Sequence, residues 1–310
     1  MTPSTSSRLD WLLFVLLGFF WGSSYLFIKI GVETGLQPFT LVMLRLLIGF
    51  GLLAAVVFAA REPLPRGRRV YVHLVVLGFF AVALPFSLIT LAEQHVDSAL
   101  AATLTAPVPL FVIPIAAVLL HDERISINKL AGVLVGVIGV AILVGFDLAQ
   151  ATQADLLAEL ALVAAALSYA VGGVYARRNV RGLRPMIPAL FQVGFALLMV
   201  TVLAFLLERP LEATLPFDAL VAVVWLGLFG SGMAYLLFFR LLGRWGATRT
   251  SLVAYLVPVF GIVLGAAVLA EPIRAGLLVG TALVLGGIAL VNSRLSLRRR
   301  LLRPSAEQGR

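Results

Sequence analysis

The sequence predicts an all-α integral membrane protein whose ten transmembrane helices form two inverted five-helix repeats, and three observations carry that prediction. Of 310 residues, 61% are hydrophobic and 13% charged, with a mean hydropathy of +1.05, which leaves too little polar surface for a water-soluble globule. Apolar runs of bilayer length recur ten times, separated by short charged or turn-rich breaks. The second half of the chain then repeats the first at an offset of about 148 residues. Spans of about 20 residues leave no room for a separate extramembrane domain, and a barrel is excluded because its strands alternate over about ten residues.

Each span has its own justification. The first, Trp11 to Ile30, is too long for a signal-peptide core and lacks a small-x-small cleavage site, so it is expected to be retained. Span two runs from Pro38 to Ala60. Val70 to Ala92 contains Pro85, and Ser98 to Leu120 contains Pro107, Pro109 and Pro114, so both are expected to bend. Ile127 to Phe146 closes the first repeat (residues 11–146), with Gly132 and Gly136 spaced for close helix packing. The second repeat (156–291) runs through Leu156 to Ala176, Pro185 to Leu207, Phe217 to Leu242, Ala247 to Ala270 and Ile273 to Val291. Its third span holds Gly227, Gly230, Ser231 and Gly232, dense enough to loosen a helix into a hinge or a backbone contact. Residues 292–310 form a basic tail, expected to be cytoplasmic and to anchor at anionic lipid.

The repeat is legible residue by residue. Glu123, Gly132 and the run Gly139 to Leu143 recur as Glu271, Gly280 and the run Gly287 to Val291; Pro109 matches Pro258; and Pro38 with Arg45 matches Pro185 with Gln192. Five spans per copy is an odd number, so the second copy must enter the bilayer upside down. Charge agrees: with the N-terminus inside, twenty of the 24 Lys and Arg face the cytoplasm, three face outward and Arg45 lies within a span. Inverted repeats of this kind place a substrate site at the repeat interface near mid-bilayer.

The segments Trp21-Gly22-Ser23-Ser24-Tyr25 through Lys29, Pro38 to Arg45, Ala101 to Pro109 through Glu123, and Tyr255 to Phe260 through Glu271 and Gly280 resemble both copies of the EamA domain of the drug/metabolite transporter superfamily. The likeness covers Trp11 to Val291 and is strong because weak motifs occur twice and in order. The chain is similar to bacterial ten-helix exporters of amino acids and other metabolites, the aromatic amino acid exporters among them. That resemblance implies a bacterial inner-membrane location and a central cavity lined by spans one, three, four, six, eight and nine, while the Lys/Arg asymmetry places both termini in the cytoplasm.

On those spans the residues favour an apolar or aromatic solute with a small polar head. Trp21 and Tyr25 share a helix face beside Ser24; Pro85 and Phe86, Pro109, Ser168 and Tyr169, Ser231 and Tyr235, and Tyr255 with Pro258 complete the candidate substrate site. For each tyrosine the competing role is an interface belt or a satisfied core residue, and for each proline a packing kink; Tyr71 and Trp245, near span ends, read as belt. Arg45, about 10 Å deep, is expected to meet Lys29 or Glu33 at the outer rim, where these cations attract a carboxylate or simply register the helices. Glu123 and Glu271 are read as structural acids at the start of the following helix.

No Asp, Glu or His stands at the centre of a span, so the expectation is uncoupled or weakly coupled export without a central proton relay. Without cysteine, disulfides, thiolate nucleophiles and Cys-ligated metals are excluded. A membrane enzyme finds no catalytic motif, His121-Asp122-Glu123 being one short loop, so neither catalytic residues, a metal nor a cofactor is expected. A channel would need charged rings or a carbonyl filter, and a multidrug cation exporter a carboxylate in the cavity. The reading is therefore a monomeric secondary transporter in the lipid bilayer exporting small metabolites, amino acids with hydrophobic or aromatic side chains first, with no nucleic-acid partner. The alternative is a flippase or exporter of a lipid-like or other amphiphilic metabolite.

Overall fold

The computed structural model describes residues 8–119, 127–145, 152–180, 182–246 and 250–292. Ten helices long and apolar enough to cross a bilayer follow one another: α1 Arg8–Glu33, α2 Pro38–Ala59, α3 Arg68–Ala92, α4 Ser98–Leu119, α5 Ile127–Val144, α6 Gln153–Asn179, α7 Met186–Leu207, α8 Phe217–Trp245, α9 Ser251–Val268 and α10 Ala275–Asn292. The chain is a multi-pass membrane protein. We call the end of the bundle where α1 starts and α10 finishes the termini end, and the other the distal end. The loop around Glu123, Arg181 and the basic tail lie outside the described residues.

Helix pairing obeys a two-fold. The pairs α2·α8 and α7·α3, α1·α8 and α6·α3, and α1·α9 and α6·α4 are exchanged by it, while α2·α7, α4·α9 and α5·α10 pair each helix with its own repeat mate. The α5·α10 seam shows the symmetry at the atomic scale. A Cβ on Gly132 would lie 2.6 Å from the Gly287 carbonyl, and one on Gly139 would lie 2.9 Å from the Gly280 carbonyl. Gly132 and Gly139 are the repeat partners of Gly280 and Gly287, so the contacts cross the axis as a two-fold requires. Small residues let these backbones touch, which is how helices associate where lipid is as apolar as the side chains.

At the α2·α7 seam Glu208 accepts hydrogen bonds from Phe39 N (2.8 Å), Thr40 N (2.7 Å) and Thr40 Oγ1 (2.7 Å), while at its other end Glu62 pairs with Arg184 at 2.7 Å. Glu208 thus serves the start of α2, where unpaired N–H groups and the helix dipole favour negative charge, whereas Glu62 meets the arginine side chain just before α7.

Two interruptions set the interior. In α3 residues Phe79–Ala83 form a π-helical turn, and in α8 residues Leu226–Met233 form another. Pro85 cannot donate to the turn before it, which accounts for the first. The second is built on Gly227, Gly230 and Gly232, as the density of glycine predicts. In α4, Ala106 and Pro107 form a turn between Ser98–Thr105 and Val108–Leu119, the bend expected of its prolines. The mate α9 starts instead as a tight 3-10 turn, Ser251–Tyr255, before continuing as α-helix through Pro258.

Candidate functional site

Between the two halves lies a cavity of about 380 Å³, within the size range of small-molecule sites. Trp21, Ser24, Tyr25 and Ile28 come from α1, Phe86 and Ile89 from α3, Thr105, Ala106, Val108 and Pro109 from α4, Tyr169 from α6, Gly230, Tyr235 and Phe238 from α8, and Ser251, Val253, Ala254 and Val257 from α9. These are the six spans that the resemblance implies. A seventh helix joins them: α2 contributes Arg45.

Arg45 is 2% exposed and meets no acid among the described residues. Its Nε donates to Ser231 Oγ at 3.2 Å, and its guanidinium carbon lies 4.2 Å from the centroid of the Phe86 ring. Gly230 makes the space: a Cβ there would lie 3.3 Å from an Arg45 terminal nitrogen and 2.6 Å from Ser24 Oγ. The expected rim contact with Lys29 or Glu33 is not formed by Arg45. The π turn of α8 brings Ser231 to it instead, and Lys29 is engaged elsewhere. A cation in an apolar cavity with one neutral hydrogen-bond partner and one ring face retains donors for an anionic group.

Around the guanidinium stand phenols and rings. Tyr25 Oη is 2.5 Å from Thr105 Oγ1. Because Thr105 donates its own proton to the Ala101 carbonyl at 2.8 Å, Tyr25 is the donor of that pair, tying α1 to α4 just before the Pro107 break. Toward the termini end, Trp21 packs against Phe238 (centroids 5.6 Å apart) and Tyr235 (6.4 Å). The lining reaches Ser251, in the first turn of α9 at the termini end, and stops at Ile28 and Ile89 short of the distal end.

The distal end is closed by polar contacts. Lys29 Nζ donates to the carbonyls of Glu93 (3.0 Å) and Val96 (3.1 Å) and lies 3.7 Å from Glu33. Glu271 accepts from Ser98 N (2.7 Å), Ser98 Oγ (3.0 Å) and Ala99 N (3.0 Å). Glu271 therefore serves the start of α4 across the repeat interface, a correction to the expectation that it complements the helix that follows it.

Of the twelve candidate residues, the structure brings Trp21, Ser24, Tyr25, Phe86, Pro109, Tyr169 and Tyr235 onto the cavity wall. Ser231 stands behind the wall, holding Arg45. Ser168 faces α3, donating at 2.7 Å to the Phe80 carbonyl within the π turn, and Pro85 follows that turn as a buried packing residue. Tyr255 lies off the wall, accepting from Asn292 Nδ2 at 3.2 Å, and Pro258 is buried in α9 off the wall. Trp245 packs on Trp11 (4.9 Å) and Phe14 (5.5 Å) at the termini end. Tyr71 donates to the Pro65 carbonyl at 2.8 Å. Sequence reasoning weighed Arg45 only as a rim residue and passed over Glu93, the last signal being a charge at a span end where solvent is the usual partner.

The model of the EamA-like transporter family matches residues 10–145 and again 156–293. The chain belongs to the EamA-like transporter family. Relatives of this transporter include the uncharacterized transporter YoaV of Bacillus subtilis, 24% identical over 86% of this chain and 91% of that one. The probable amino-acid metabolite efflux pump of Salmonella typhimurium is 25% identical over 91% of this chain and 94% of that one. The uncharacterized inner membrane transporter YedA of Escherichia coli is 28% identical over 79% and 78%. A protein of known crystal structure superposes with a TM-score of 0.67 at 22% identity, over 92% of this chain and 99% of that one, and so shares the fold.

Proposed function

We propose that this EamA-like transporter exports small zwitterionic metabolites, hydrophobic and aromatic amino acids first, by alternating access across a bacterial inner membrane with both termini in the cytoplasm. The observation that carries the reading is the buried guanidinium of Arg45, without an acidic partner among the described residues, in a cavity otherwise walled by rings and aliphatic groups. A substrate carboxylate supplies the missing anion, and a guanidinium suits it because two parallel N–H donors match two oxygens. The substrate side chain lies among Trp21, Tyr235 and Phe238, and the phenols of Tyr25 and Tyr169 with their ring faces receive its ammonium. The amino-acid metabolite efflux named for the Salmonella relative agrees with this chemistry. The cavity reaches toward the termini end and is shut distally, the arrangement of a carrier loading from the cytoplasm.

The test is counterflow in proteoliposomes preloaded with unlabelled phenylalanine, leucine or tryptophan. Uptake of the labelled amino acid above empty vesicles is expected. Silence across amino acids with uptake of an amphiphile such as a labelled lysolipid would overturn the reading.

A further inference from the structure

Glu93 follows directly on α3, one turn beyond Ile89 of the cavity wall, and has no exposed surface. Neither of its carboxyl oxygens has a hydrogen-bond partner among the described residues. The cation nearest in function, Lys29, spends its ammonium on the Glu93 and Val96 carbonyls and on Glu33 rather than on the Glu93 carboxyl. The other titratable groups whose charges reach the Glu93 carboxyl are Arg45 from α2 and Glu271 from the segment before α10, and the Tyr25 phenol of α1 in turn feels Glu93. Burial drives the Glu93 carboxyl well above the usual carboxylate range, with Glu271 adding to the rise and Lys29 and Arg45 opposing it. An ionised carboxylate left dry and unbonded is costly, so in the closed arrangement this group holds its proton.

We propose that Glu93 is a proton site tied to the distal closure: the carboxyl is protonated while that end is shut and passes its proton to water when the end opens. On closure the carboxylate takes a proton back from water, so no other reactant is needed. Once the carboxylate is formed, the Lys29 ammonium is its natural partner and its two carbonyl contacts are released, which loosens the distal plug. A pH difference across the membrane then biases the cycle, acid on the distal face returning the carrier to its loading arrangement. The inference goes beyond the substrate reading and uses it only for the opening itself.

Two measurements on the purified full chain test it without any substrate. The first is the maleimide labelling rate of Ala92→Cys, at a buried position, normalised to Gln94→Cys, at an exposed one, in this cysteine-free chain. The ratio is expected to rise severalfold from pH 6 to pH 8 and to be flat when Glu93→Gln is added; a flat ratio with Glu93 in place, or the same rise with glutamine, overturns the proposal. The second is thermal unfolding against pH. A carboxyl held neutral in the fold stabilises fully below its unfolded value of about 4.3, and that contribution is lost as pH rises through the folded value. The parent chain should therefore lose thermal stability as pH rises above about 4.3, while Glu93→Gln, which mimics the neutral acid, should melt higher than the parent at the alkaline end. Parallel curves for the two chains overturn the proposal.

Discussion

Helices α2 and α7 occupy equivalent places in the two repeats and use the same backbone device, yet they carry different chemistry. A Cβ on Gly78 in α3 would lie 2.9 Å from the Gln192 carbonyl of α7, and a Cβ on Gly227 in α8 would lie 3.0 Å from the Arg45 carbonyl of α2. Gly78 immediately precedes the π turn of α3 and Gly227 lies within that of α8, and in both repeats the residue whose carbonyl the glycine meets lies seven positions after the proline at the start of the helix. The side chains differ: Arg45 reaches the cavity and Gln192 does not. The comparison teaches that the repeat supplies the scaffold twice, and that recognition resides where the copies disagree.

The largest effect is expected from Arg45→Gln, which makes the first copy resemble the second: counterflow of an amino acid should fall by roughly 10- to 100-fold, the scale of a lost charge-assisted contact. Transferring the arginine with Arg45→Gln/Gln192→Arg should not restore it, because the α7 residue is off the cavity; rescue would sink the claim that the copies have diverged in role. Next, Gly78→Ala and Gly227→Ala should each lower stability by about 1–3 kcal/mol through overpacking, measured by thermal unfolding, since both press a methyl group onto a neighbouring backbone. A harmless Gly227→Ala would show that the α8 turn yields where the α3 turn does not.

Third, Glu208→Gln should cost about 1–2 kcal/mol, because the acid serves two backbone donors and a hydroxyl at the start of α2. The smallest effect is expected at its mate. Glu62→Gln should cost less than about 1 kcal/mol, because Arg184 is two-thirds exposed and water screens the pair. Equal losses at the two sites would contradict the view that the two-fold preserves the position of these acids but not their strength.

How much of this was legible from the residues depended on whether a signal was periodic or spatial. The ten spans, the odd number per copy, the bends of α3 and α4 and the loosened α8 follow from hydropathy, proline and glycine, and the glycines that define the repeat are the ones that pack it. Arg45 carried a recognisable signal, a charge within a span, but its partner could not be read, since only the π turn of α8 brings Ser231 to it. Glu93 carried the opposite of a signal: it stands at a span end, where water or headgroups are the normal surroundings, yet it has no exposed surface. Ser168 was read toward a substrate, yet a π turn frees a carbonyl nearby and the hydroxyl takes it.

The central claim is that the Arg45 guanidinium recognises a carboxylate in this cavity. Its most direct test is counterflow of labelled phenylalanine competed by unlabelled phenylalanine or by phenylethylamine, the same side chain and amine without the carboxylate, in proteoliposomes of the parent chain and of Arg45→Gln. Phenylalanine should compete at least tenfold better than phenylethylamine in the parent, and the preference should vanish in the variant. Equal competition in the parent, or an undiminished preference in Arg45→Gln, would contradict it.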